Sequence, residues 1–119
     1  MDSVRRVKTY TAESGAVYQY YFVGWRDALP GSGERATEYI FDILRNHGRY
    51  SVSIFVRFTA VAHWNAGHGR ELSGSEQYGL AKMRLLSAFN ESDDVFALGR
   101  QFVVDAENIQ GLATALNLD

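Results

Sequence analysis

The chain has no cysteine. That excludes a disulfide scaffold and a thiolate metal centre. It also lacks an excess of positive charge: twelve Lys and Arg stand against fourteen Asp and Glu, a net charge of -2. Proteins dedicated to nucleic acid exchange surplus cations for condensed counterions, so a nucleic-acid partner is not expected. No run reaches the ~20 apolar residues that cross a bilayer, and no membrane partner is expected either. The first residues, Met1-Asp2-Ser3-Val4-Arg5-Arg6-Val7-Lys8, lack the apolar stretch of a signal peptide, which points to a cytoplasmic location. Internal repeats and low-complexity tracts are missing too.

What is present is ordinary in amount and unusual in placement. Hydrophobic residues make up 46 % of the 119 and charged residues 22 %, the balance of a folded globular chain. The length fits one α+β domain over 1–119 with a core of its own. The most informative segment is Ala16-Val17-Tyr18-Gln19-Tyr20-Tyr21-Phe22-Val23. Strand alternation puts Tyr18, Tyr20 and Phe22 on one side and Val17, Tyr21 and Val23 on the other. A strand apolar on both faces belongs inside a sheet, with something covering each side.

Around it the chain reads as two hairpins followed by helices. Val4 to Tyr10 is a strand carrying Arg5, Arg6 and Lys8, which suits a sheet edge, and Gly15 ends the turn into the aromatic strand. Gly24 to Ala36 is rich in breakers, holds the only proline, and reads as a long loop. Thr37 to Leu44 and Tyr50 to Arg57 form the second hairpin through Asn46-His47-Gly48. In its second strand Tyr50, Val52, Ile54 and Val56 face one way, and Ser51, Ser53, Phe55 and Arg57 the other.

Thr59 is placed to cap a short helix over 60–66, which Gly67 or Gly69 would stop. Ser73-Gly74-Ser75-Glu76 is a capping box opening a helix to about Asn90. Its core stripe is Tyr78, Ala81, Leu85, Ala88 and Phe89, while Lys82, Arg84, Ser87 and Glu91 point elsewhere. Gly79 marks a close approach to the sheet. Ser92-Asp93-Asp94 breaks this helix, Arg100 to Val104 is a fifth strand, and Asp105 caps a last helix to about Leu116. The order is ββββααβα: an antiparallel sheet of about five strands, two hairpins plus one late strand, with helices packed on one face.

Chemistry is harder to find. His63 and His68 lie five apart, whereas ligands sharing a helix face sit three or four apart, so no metal and no cofactor is expected. There is no G-x-S-x-G nucleophile elbow, and Gly31-Ser32-Gly33 lacks the lysine of a phosphate loop. Glu38 and Asp42 share a strand face and suit acid–base work, but solvated polar positions explain them as well. No catalytic residue emerges.

Three readings of function follow. The leading one is a non-catalytic binding or self-association module, a homodimer or a partner of another protein, touching through an aromatic sheet face. Its candidate residues are Tyr18, Tyr20, Tyr21, Trp25, Arg26 and Phe55. The alternative is a small-molecule-binding protein or enzyme with a pocket under the 24–36 loop, covered by Trp25, Arg26 and Asp27. The third is single-strand nucleic-acid binding by Arg5, Arg6 and Lys8 opposite Tyr18, Tyr20 and Tyr21, which the charge balance disfavours.

Overall fold

A computed structural model describes residues 6–31, 33–45, 48–92 and 95–118. Four strands come first: β1 (Lys8–Thr11), β2 (Val17–Ala28), β3 (Ala36–Arg45) and β4 (Gly48–Arg57). Helices α1 (Phe58–His68) and α2 (Gly74–Glu91) follow, then a 3-10 turn (Val95–Leu98), β5 (Gln101–Val104) and α3 (Ile109–Ala115). The strands lie side by side in chain order, β1-β2-β3-β4-β5. The α+β class and the order ββββααβα are those read from the sequence.

One departure lies in the direction of β5. It pairs parallel to β4, from Ser53 opposite Gln101 to Val56 opposite Val104. Antiparallel neighbours need only a tight turn, whereas a parallel pair needs a crossover, and α1 with α2 provides one. The chain enters α1 directly from β4, with Arg57 as an N-cap whose side chain makes no capping bond, so Thr59 sits inside the helix rather than capping it. Gly69 stops α1 at φ 64, a left-handed geometry that suits glycine.

All three helices pack on the same side of the sheet, and the aromatic row faces them. Phe89 of α2 stacks on Tyr18 with ring centroids 4.2 Å apart and planes 4° apart, and it also meets Tyr10 and Tyr20. Tyr78 meets Phe22 edge-on at 4.9 Å. Val52, Ile54, Val56, Trp64, Leu85 and Phe102 complete this core. Each aromatic pair adds about 0.5–1.5 kcal/mol beyond the area it buries, so the row holds the helices to the sheet. The expectation of cover on both faces of β2 is corrected: β2 is interior, between β1 and β3, but among the described residues no element lies over its second face.

Several local expectations also change. The segment from Gly24 to Ala28 continues β2, so the loop runs over 29–35 only. Gly79 approaches α3 rather than the sheet: a Cβ there would lie 3.3 Å from Leu116 Cδ1. Arg84 lies against β5, its Nε donating to the Val103 carbonyl at 3.2 Å. Asp105 caps the turn before α3, accepting at Oδ1 from the amides of Glu107 and Asn108, while its own amide donates to Asn108 Oδ1. The capping box of α2 forms as read, with both reciprocal bonds between Ser73 and Glu76. Arg5, Asn46, His47, Asp93 and Asp94 lie outside the described residues. Among the described residues no helix is long and apolar enough to cross a membrane.

Candidate binding site

The site begins with a fault in the β2–β3 ladder. Phe22 pairs with Phe41, but Gly24 pairs with Ile40, leaving Val23 as an extra residue. Without this bulge, alternation would send Trp25 to the side away from the helices. With it, Trp25 sits opposite Tyr39, on the helix side, and Arg26 sits opposite Glu38, on the uncovered side.

Turning Trp25 towards the helices creates a cleft of about 360 Å³ between the β2–β3 pair and the first turns of α2. Its lining is Phe22, Trp25, Thr37, Tyr39, Gly74, Gln77 and Tyr78. The rings of Phe22, Tyr39 and Tyr78 pack on one another at 4.9 to 6.4 Å and form a continuous apolar wall. Trp25 stands apart from that wall and is 63 % exposed. Among the described residues no charged side chain lines the cleft.

Its polar groups are hydroxyls and an amide. Thr37 and Tyr39 are buried, at 8 % and 5 % exposure, yet neither hydroxyl has a hydrogen-bond partner among the described residues. Among those residues, the Trp64 indole nitrogen is the fully buried side-chain donor left unpaired. The Thr37 and Tyr39 oxygens therefore keep contact with solvent, and the cleft they line is the opening available to them. Burial pushes the Tyr39 and Tyr78 hydroxyls above the ordinary tyrosine value, so both remain neutral and able to donate. Gln77 is held at the rim, its Nε2 donating to the Leu72 carbonyl at 3.2 Å.

The candidates drawn from the sequence separate across the sheet. Tyr18 and Tyr20 are core residues, 0 % and 4 % exposed, and this corrects the idea that their rings form an open aromatic face. Alternation had divided them from Tyr21, and the helices chose their side. Tyr21 and Phe55 lie on the uncovered side with Arg26, while Trp25 alone enters the cleft. Thr37, Tyr39, Gly74, Gln77 and Tyr78 were missed. The capping box at Ser73 fixes where α2 begins, and Tyr39 and Tyr78 each sit on a core-facing row. Those were the available signals.

The uncovered side has its own polar order. Glu38, 7 % exposed, accepts from Arg26 Nε at 2.7 Å and from Ser53 Oγ at 2.6 Å. Burial pushes its carboxyl up, but the bonds from Arg26 and Ser53 outweigh that and leave it below the usual carboxylate value. Asp42 accepts from Ser51 Oγ at 2.7 Å and from the Tyr21 hydroxyl at 2.9 Å. Ile40 separates the two on the same strand, about 13 Å of extended chain from Glu38 to Asp42, which is too far for two carboxylates to share one reacting bond. Both are acceptors already engaged.

Elsewhere little gathers. His63 is exposed, and His68 stacks on Trp64 at 3.8 Å with Nδ1 donating to the Trp64 carbonyl. Among the described residues no three His, Asp or Glu side chains are grouped as a metal site requires. A larger depression of about 680 Å³, lined by residues such as Val17, Gln19 and Arg49, is a more open groove at the far end of the first hairpin. The chain matches no protein-family model, no curated protein and no solved structure, so the site rests on its own geometry.

Proposed function

We propose that this chain is a non-catalytic binding protein, and that its ligand is a small, flat, largely apolar molecule taken up between Trp25 and the Phe22–Tyr39–Tyr78 wall. This is the pocket reading of the sequence, moved from beneath a loop to the mouth of a bulged strand. The observation that carries it is Trp25 itself. A tryptophan 63 % exposed, turned by a bulge over an aromatic cleft with two solvent-served hydroxyls, supports a role in holding something. A screen of small aromatic compounds by thermal shift tests this. Hits should raise the melting temperature of the native protein and lose that effect in Trp25→Ala. Absence of hits, or hits indifferent to the substitution, would remove the support.

The uncovered sheet face favours a second reading, self-association. It carries Val17, Tyr21, Ile40, Leu44, Phe55 and Val103, and its carboxylates already have partners, so covering it would strand no unpaired charge. Light scattering at micromolar concentration should then give about twice the 13.4 kDa chain mass. A monomer mass would leave the cleft as the sole reading.

A further inference from the structure

The cleft ends on the first turn of α2, where Gly74 is a lining residue. In an 18-residue helix the first amides have no intrahelical partner and carry the positive end of the macrodipole. Here the capping box satisfies two of the four: the Ser73 hydroxyl takes the Glu76 amide and the Glu76 carboxylate takes the Ser73 amide. The amides of Gly74 and Ser75 have no partner among the described residues. A helix start of this kind is common and means little alone. The independent observation is on the facing strand, where Thr37 and Tyr39, each more than nine-tenths buried, line the same cleft with hydroxyls that have no partner among the described residues.

From this juxtaposition we propose that the ligand is an aromatic monocarboxylic acid, its ring on the Tyr78 wall and its carboxylate at the start of α2. The proposal rests on the cleft reading above and names the charge class of its ligand. Amides donate, and neutral hydroxyls can donate, so together they match an acceptor-only group better than an ammonium. Nearby acids do not cancel this. Glu76 is committed to Arg70, through bonds of 3.0 Å from both Nη atoms, and to the Ser73 amide. Asp27 pairs in register with Thr37 but is exposed, where water screens it.

Three probes sharing one ring separate the possibilities: phenylacetate, phenylacetamide and phenethylamine, an anion, a neutral isostere and a cation. Equilibrium dialysis against the native protein should give phenylacetate about ten-fold tighter binding than the amide, with the amine weakest. Gly74→Pro removes one amide at a helix position where proline is well tolerated, and Ser73 already holds the extended geometry that precedes proline. That variant and Thr37→Val should each weaken phenylacetate more than the amide and so narrow the ratio between the two. Circular dichroism on both checks that α2 persists. Equal binding of all three probes, or preference for the amine, overturns the carboxylate assignment and leaves the cleft reading standing. Failure of all three to bind overturns both.

Discussion

Single residues show how much of this molecule depends on satisfied oxygens. Glu76 closes the capping box, and its carboxyl is held down to about 2, first by the Arg70 guanidinium and then by the Ser73 amide. Its folded value lies below the ordinary 4.5, so its contribution is complete above pH 4.5 and is lost as pH falls towards about 2. Urea midpoints measured across that interval should fall for the native protein and fall less for Glu76→Gln. Parallel curves would mean that the pair does not couple to folding. Ser73→Ala should cost about 0.5–2 kcal/mol at neutral pH, since it orphans an amide at the start of the longest helix. This cap was legible because S-x-x-E is a local pattern with a local cause. Glu38 and Asp42 were legible only as sharing a face. Their partners Arg26, Ser53 and Tyr21 come from neighbouring strands, and pairing register is not written in one strand.

At the scale of elements, the decisive feature is the bulge at Val23, and it was hidden. Val23-Gly24 followed by Trp25-Arg26-Asp27 and a Pro30-Gly31 turn looks like a strand giving way to a loop. In fact the ladder absorbs one extra residue and continues to Ala28 opposite Ala36. Propensity has no signal for this, because the gain comes from β3 on the far side of the ladder. Deleting Val23 would leave Trp25 opposite Tyr39, whereas inserting one alanine between Gly24 and Trp25 should turn Trp25 to the uncovered side and swing Arg26 away from Glu38. Aromatic compounds that shift the native melting temperature should then cease to do so, while far-ultraviolet circular dichroism keeps the sheet and helix signature. An insertion variant that still binds them would detach the cleft from the facing of Trp25. The Tyr18–Tyr20–Phe22 row shows the opposite case: its periodicity announced a buried face, but periodicity cannot say which of two apolar faces the helices take.

For the whole molecule, the class and element order followed from hydrophobic period, turn residues and caps, all of them short-range. The parallel pairing of β5 and the one-sided helix layer did not, because each depends on where α1 and α2 lead the chain. That layer hides the aromatic row and leaves the mouth of the cleft where β2 outruns the helix cover. The two tryptophans make this arrangement directly observable, since Trp25 stands at the mouth, 63 % exposed, and Trp64 lies in the core at 2 %. The measurement that bears most directly on the central claim is a titration of the nitrogen-labelled protein with phenylacetamide, following both indole N–H resonances. Binding in the cleft should move the Trp25 resonance progressively and leave that of Trp64 in place, and Tyr78→Ala should abolish the movement. A fixed Trp25 resonance, or one that moves equally in Tyr78→Ala, would contradict the assignment of this cleft as the binding site.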